Sequence, residues 1–201
     1  MSLKRRVGIL MAAVSLAAAD ASAQSVQLAP FGGYQFGGSF YSPALGASAS
    51  LRSSLSYGGT ADFAIGEHWR VELLYSRQPT ELRAGDASAF DVNVERLMGG
   101  IVEEKGEGRT RFFGVGLVGI TRFVPGLGGF DSESRFTLGV GLGLKHFLSD
   151  HFGLRAELRG FYTFTEVDGG VFCSGGGTCL FVFGGHGLWQ GDVSGGVILA
   201  F

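Results

Sequence analysis

Hydrophobic and polar residues alternate with a period of two along most of this chain. The segment 69–78 shows the pattern, with Trp69, Val71, Leu73 and Tyr75 at one parity and Arg70, Glu72, Ser76 and Gln78 at the other. The segments 54–65 and 152–165 repeat it. Because successive side chains of a β-strand point to opposite faces of the sheet, the alternation predicts strands throughout.

The alternation predicts eight strands, at residues 26–36, 53–65, 69–81, 90–103, 109–123, 135–148, 152–165 and 188–201. Tight turns at 65–69, 103–109 and 148–152 alternate strictly with longer connections at 37–52, 82–89, 124–134 and 166–187. Short turns at one end and long loops at the other are typical of an up-and-down barrel. The predicted fold class is therefore all-β: an eight-stranded antiparallel up-and-down transmembrane β-barrel.

The two faces of these strands differ sharply in chemistry. One face carries Asp62, Arg70, Glu72, Arg155, Glu157, Arg159, Gln190 and Asp192 among many glycines. The other face consists of Leu, Val, Phe, Tyr and Trp, and Trp69 and Trp189 each begin a strand where an interfacial aromatic belt is expected. An interior filled by paired polar side chains, with an apolar exterior, favours a barrel embedded in lipid. A soluble lipocalin-like barrel, with the faces exchanged, is the alternative.

The N-terminus indicates export. Lys4, Arg5 and Arg6 precede an apolar run at 7–19, and Ala21-Ser-Ala23 follows as a signal-peptidase pattern. The predicted organisation is a cleaved signal peptide at 1–23 and one barrel domain at 24–201. Removal of the signal peptide deletes three cations and one anion, so the net charge changes from −2 to −4. Without a basic run, nucleic acid is not an expected partner.

The last strand ends in an alternating apolar pattern. Val193, Val197, Leu199 and the terminal Phe201 share one face. With the stretches 30–38, 111–125 and 135–164, this end resembles the small outer-membrane β-barrels of the OmpA/OmpX, OmpW and opacity-protein group. The resemblance implies a bacterial outer-membrane location, with Val197, Leu199 and Phe201 as the signal that the barrel-insertion machinery binds.

The resemblance specifies an architecture better than an activity. The leading hypothesis is a non-enzymatic structural or surface-interaction barrel that contacts outer-membrane lipid and lipopolysaccharide, its extracellular ligand being undetermined. A small channel for hydrophobic or small polar solutes, of the OmpW type, is the alternative, and a lipid-modifying enzyme is the third hypothesis. No peptidoglycan-binding domain is expected after residue 201. Arg77 is placed near the outer interface, where it would meet a lipopolysaccharide phosphate or water.

Six charged residues are predicted to form an ionic core inside the barrel: Arg70, Glu72, Arg155, Glu157, Arg159 and Asp192. The favoured interpretation is a set of mutually satisfied ion pairs, because isolated buried charges are costly. The alternative is a narrow polar conduit that selects solutes by charge.

Two motifs suggest enzymes and are better explained by structure. Residues 114–119 match G-x-G-x-x-G, but they lie within one strand with no helix after them, so no nucleotide cofactor is predicted. His146, Ser149, Asp150 and His151 suggest a hydrolase, yet they fall in a predicted turn at the periplasmic end, where Ser-Asp pairs are common. We therefore predict no catalytic, cofactor-binding or metal-binding residues.

Two further features carry structural predictions. Cys173 and Cys179 flank a glycine tract in an exported chain, which predicts a local disulfide in the longest loop, 166–187, interpreted as a hairpin.

Arg96 falls at the parity of Val92, Val94 and Met98, which this pattern assigns to lipid. A lipid-facing arginine costs about 2–4 kcal/mol at the bilayer centre, so a β-bulge at residues 95–96 is predicted to turn Arg96 inward.

Overall fold

A computed structural model describes residues 25–42, 47–84, 87–126, 131–165, 170–173, 179–182 and 187–201. The predicted signal peptide at 1–23 lies outside these ranges. Within them, no helix has the length and apolar character that would let it cross a bilayer.

The described ranges contain β-strands of two kinds. The eight longest are β1 (Val26–Gly37), β4 (Ser54–Ala64), β5 (Trp69–Ala84), β6 (Ala87–Lys105), β7 (Thr110–Pro125), β8 (Glu133–Phe147), β9 (Phe152–Thr163) and β12 (Leu188–Ala200). The four short strands are β2 (Ser39–Ser42), β3 (Ala47–Leu51), β10 (Gly170–Cys173) and β11 (Cys179–Val182).

The eight long strands form a closed antiparallel barrel in the order β1-β4-β5-β6-β7-β8-β9-β12, and β12 pairs with β1 to complete the circle. This confirms the predicted fold class. The short strands extend the wall at the end that carries the long loops, where β2 pairs with β3 and β3 continues along β5. In the longest loop β10 pairs with β11. We call the end of the barrel that carries the long loops the outer rim.

The barrel wall turns its apolar side chains outward. Leu55 is 72% exposed, whereas Asp62 on the same strand is 1% exposed. The same contrast holds for the paired strand, where Tyr75 is exposed and Glu72 is buried. An apolar outer surface around a polar interior is the arrangement that hydrocarbon surroundings require.

The predicted bulge at residues 95–96 is wrong. Pairing is regular on both sides of this segment, with Arg96 opposite Ser76 on β5 and opposite Thr121 on β7. Arg96 points inward because the whole parity does so, including Val94 and Met98, which are 0% and 2% exposed. The error came from assigning every apolar run to lipid, although part of the lumen is apolar.

The apolar part of the lumen is one contiguous cluster. Its buried members are Leu74, Met98, Val102, Phe113, Val115, Leu117 and Phe161. They come from three adjacent strands, β5, β6 and β7, and from β9, which the glycine-rich β8 separates from β7. One side of the interior is therefore packed like an ordinary protein core.

Glycines on β8 leave the room that this packing needs. A Cβ on Gly143 would lie 2.5 Å from the carbonyl oxygen of Ala156 and 2.5 Å from the Phe113 ring. A Cβ on Gly141 would lie 3.0 Å from Cγ of Arg159. Residues 141 and 143 of β8 must therefore lack side chains so that large neighbours can fill the lumen.

We expect Gly143→Val to destabilise the barrel by about 1–3 kcal/mol, because overpacking beside a fixed carbonyl forces the backbone to shift. The free energy of unfolding from urea titration of the refolded protein measures this. Gly116→Val is the matched control, since a Cβ at Gly116 meets nothing within 4 Å. Equal stability of the two variants would contradict the prediction.

Candidate functional site

The lumen holds ten buried charged side chains among the described residues. Five are cations (Arg70, Arg96, Lys145, Arg155, Arg159) and five are anions (Asp62, Glu72, Glu104, Glu157, Asp192). Their formal charges cancel, which matters because an uncompensated buried charge costs several kcal/mol. We call this set the lumen network.

Arg155 occupies the centre of the lumen network. Its Nη2 donates to Oε2 of Glu72 at 2.5 Å, and its Nε donates to Oε2 of Glu157 at 2.9 Å. Its Nη1 donates to Oδ2 of Asp62 and to Oγ1 of Thr60, both at 3.1 Å. All three guanidinium nitrogens therefore have partners, drawn from β4, β5 and β9.

Arg159 lies nearer the outer rim than Arg155 and contacts the same two glutamates. Its Nε donates to Oε1 of Glu157 at 2.6 Å, and its Nη2 donates to Oε1 of Glu72 at 3.2 Å. Glu72 and Glu157 thus each accept from Arg155 and Arg159. The two arginines and two glutamates form a ring of charge-assisted hydrogen bonds across the lumen, the strong class of such bonds.

Lys145 organises the end of the lumen near the short turns. Its Nζ lies 2.8 Å from Oε1 of Gln27, 2.8 Å from Oδ2 of Asp62 and 2.6 Å from Oε1 of Glu104. An ammonium group has three donors, so these acceptors satisfy it fully. Nε of Arg70 also lies 3.0 Å from Glu104 Oε1. The side chain of Lys145 is 0% exposed.

Towards the outer rim the contacts involve neutral partners. Arg96 donates from Nη1 to Oε1 of Gln35 at 3.0 Å and from Nη2 to Oε1 of Gln190 at 2.5 Å. Asp192 accepts from the hydroxyl of Ser56 at 2.7 Å. Amides and a hydroxyl therefore cap the ion pairs on this side.

Aromatic rings lie over several of these cations. The Phe113 ring centroid is 4.5 Å from Cζ of Arg155 and 5.3 Å from Nζ of Lys145. The Phe161 ring lies 4.6 Å from Cζ of Arg96. These distances are within the range of cation–π attraction, which strengthens in a desolvated lumen. The rings join the apolar cluster to the lumen network.

All six residues predicted as an ionic core lie buried in the lumen, and five of them share hydrogen bonds or ion pairs in one continuous network. The sixth, Asp192, contacts Ser56 instead. Arg77 lies on the outer face, with Nε 3.7 Å from Glu95 Oε1 and 3.4 Å from Asn93 Oδ1.

The remaining predicted site residues lie at the two ends of the barrel. Val197 and Phe201 are exposed on the outer surface and Leu199 is partly exposed there. Cys173 is paired directly opposite Cys179 in the β10–β11 ladder. This register is compatible with the disulfide, which stays a prediction.

The cluster that suggests a hydrolase does not assemble into one. Nδ1 of His146 lies 2.9 Å from Oγ1 of Thr110, and Oγ of Ser149 accepts from the backbone N–H of Phe152 at 3.2 Å. Ser149 thus closes the turn between β8 and β9. Among the described residues, no three His, Cys, Asp or Glu side chains are grouped as a metal site.

Sequence reasoning missed two members of the lumen network and placed a third inside the barrel for the wrong reason. Lys145 and Glu104 were not assigned to the interior, and Arg96 was placed there only by the bulge. A signal existed for Lys145, because it continues the parity of the inward glycines Gly141 and Gly143. The parity of a residue along its whole strand, rather than local hydrophobicity, assigns both Lys145 and Arg96 to the inward face of the barrel wall.

Comparison with known proteins identifies relatives of this fold. A family model described as "Outer membrane protein beta-barrel domain" matches residues 9–198. Neisserial surface protein A (NspA) is similar in structure, with TM-score 0.62 and 16% identity over 90% of this chain and 100% of that one. OprG from Pseudomonas aeruginosa gives TM-score 0.53 and 14% identity, covering 90% and 98%. A comparison with curated protein sequences gives no match. At these identities the structural likeness shows the fold alone.

We expect Lys145→Met to lower the free energy of unfolding by about 3–5 kcal/mol, because Asp62 and Glu104 would lose a buried cation. Urea titration in detergent micelles measures the effect. The matched control is Lys105→Met, since Lys105 pairs with Glu103 at 3.1 Å but is 76% exposed. The control should change stability by less than about 1 kcal/mol. Similar losses in both variants would argue against the lumen network as a stabilising element.

Proposed function

The chain belongs to the family of outer-membrane protein β-barrel domains and is an integral protein of the bacterial outer membrane, and from this premise we propose that it is a non-enzymatic surface protein with a sealed lumen. Its role is structural or one of surface interaction. The barrel is the membrane anchor, and the outer rim and its loops are the interacting part. The channel hypothesis requires instead that solutes pass through the lumen.

The observation that carries this proposal is the pairing of the central charges of the lumen network across the barrel. Arg155, Arg159 and Lys145 are at most 5% exposed, and their cationic nitrogens contact carboxylates from opposite sides of the barrel. A conducting pore needs a continuous water-filled path lined by groups that water can solvate. Side chains that pair across the lumen occupy its centre and leave these charges almost no exposure to solvent.

The second part of the proposal concerns the lipid around the rim. Arg77 lies at the level where β4 and β5 stop pairing, eight residues after Trp69, which begins β5. Tyr57, directly opposite Arg77, is 50% exposed. An arginine beside an outward tyrosine suits the boundary between acyl chains and phosphate groups. We propose that Arg77 contacts a lipopolysaccharide phosphate, in competition with Glu95.

Two further predictions belong to biogenesis. We propose that Val197, Leu199 and Phe201 form the signal for the barrel-insertion machinery, since this apolar row ends the strand that closes the barrel against β1. We also propose that Cys173 and Cys179 form a disulfide that stiffens the β10–β11 hairpin. The bridge closes a short loop, so its removal should have little effect on the barrel.

The purified protein in planar lipid bilayers should give no discrete conductance steps, because the lumen network leaves no solvated path. The double variant Glu72→Ala/Arg155→Ala removes one anion and one cation with their volume, and it should conduct measurably. This variant verifies that insertion and detection work. Discrete single-channel steps in the unaltered protein would overturn the sealed-lumen proposal and support the small channel.

Arg77→Gln should reduce the rise in melting temperature that lipopolysaccharide produces over phospholipid, because a charge-assisted phosphate contact is lost. Thermal unfolding in vesicles with and without lipopolysaccharide measures the difference. Arg122→Gln is a control of equal charge change, since Arg122 contacts Ser132 at 2.8 Å on another part of the rim. An unchanged lipopolysaccharide effect in Arg77→Gln would exclude this contact.

A further inference from the structure

The barrel wall is interrupted at one place near the outer rim. Pairing of β4 with β5 ends at Tyr57 opposite Arg77, and β3 takes over along β5 only from Leu51 opposite Leu82. The residues of β5 between these two points pair with β6 but have no strand ladder on their other side. The ladder is therefore interrupted between β4 and the upper part of β5. Single hydrogen bonds cross this gap, from Gln78 Nε2 to Ser54 Oγ and from Thr80 Oγ1 to the carbonyl of Arg52.

Pro79 lies in the middle of this gap. The carbonyl of Glu81 faces the β3–β4 side, where it accepts from the N–H of Arg52 at 2.9 Å. Residues two apart on a strand present their backbone groups to the same side, so the nitrogen of Pro79 also faces the gap. Proline has no N–H to donate, and it is tolerated in sheets where a ladder bond is absent. The sequence itself thus maintains the gap.

The gap opens into a groove of about 580 Å³, which we call the rim groove. Its lining divides into two parts. The apolar part consists of Tyr34, Leu55 and Pro79, and the polar part includes Arg52, Glu81 and Asp91. Leu55 is 72% exposed and Tyr34 is 49% exposed, so this part is open to a ligand from outside.

Two carboxylates, Glu81 and Asp91, and one guanidinium group, Arg52, line the polar part of the rim groove. Glu81 and Asp91 lie directly opposite each other on β5 and β6, a like-charge pair that is unfavourable on a sheet. Glu81 is neutralised by Arg52 at 3.1 Å and by Arg83 at 3.3 Å. Asp91 has no ion pair with any cation of the described residues, and its side chain is exposed.

We propose that the rim groove binds an amphipathic organic cation, an ammonium group attached to a short apolar chain. The carboxylate of Asp91 supplies the missing charge partner. Leu55 and Pro79 cover the apolar chain, and Tyr34 on β1 lies at the far side of the groove, separated from Asp91 by β4 and β5. An anionic ligand would be repelled by Asp91 and would find the guanidinium of Arg52 already paired. The inference is independent of whether the lumen conducts.

The test uses butyltrimethylammonium as the probe, with the refolded full barrel in micelles of a neutral sugar detergent. Backbone amide chemical shifts should change saturably at residues 52–55, 79–81 and 91–93. Asp91→Asn should weaken binding about tenfold, the change expected from loss of one charge-assisted contact.

The matched control is Asp131→Asn, which removes an exposed carboxylate at the same end of the barrel but outside the rim groove. It should bind the probe as the unaltered protein does. Butyl sulfate serves as the anion of the same chain length, and calcium chloride tests for a simple cation site. Equal or tighter binding of butyl sulfate would overturn the proposal. So would calcium replacing the ammonium probe, an unchanged affinity in Asp91→Asn, or the absence of saturable shifts.

Discussion

The structure depends on matching charges inside a closed sheet. Ten ionisable side chains are taken out of water in a lumen too narrow to solvate them, and each unpaired one would cost several kcal/mol. Arg155 meets this constraint with carboxylates from β4, β5 and β9, and Lys145 meets it with carboxylates from β4 and β6. Such contacts form only when every strand has its correct register. A shift by one residue would turn a charge towards lipid and leave its partner buried alone.

The same constraint explains why the lumen and the outer rim have different roles. The centre is filled by mutually satisfied ions, aromatic rings above them and the apolar cluster beside them, so it acts as a packed core. At the rim the strands extend past the closed ladder, and charges there are satisfied locally or left to solvent. The pairing of β4 with β5 ends at this transition, where Tyr57 lies opposite Arg77. Functional residues are therefore expected at the outer rim, where strand pairing ends. The packed lumen keeps the barrel below them rigid.

Much of the fold was accessible from alternation alone, and the failures have a common origin. Eight strands, their order and the alternation of short and long connections all follow from period-two segments and turn residues. Val92, Val94 and Met98 are apolar, so local hydrophobicity assigns the parity of Arg96 to lipid, whereas all three side chains are buried inside the barrel. Lys145 carries no such local signal, because the preceding residues of its parity, Gly141 and Gly143, have no side chains. For both residues, parity along the strand assigns the face more reliably than hydrophobicity does.

The sequence by itself determined the local quantities: strand positions, turns, the two chemically different faces and membership in a barrel architecture. These follow from the geometry of one extended chain, in which neighbours i and i+2 share a face. Only the tertiary structure decided which charges meet, since Asp62 and Lys145 are 83 residues apart and contact each other only across the closed lumen. It also decided that Asp91 faces Glu81 beside a gap in the wall. Partners across a barrel depend on strand number, tilt and register together, and no local pattern in the chain encodes these.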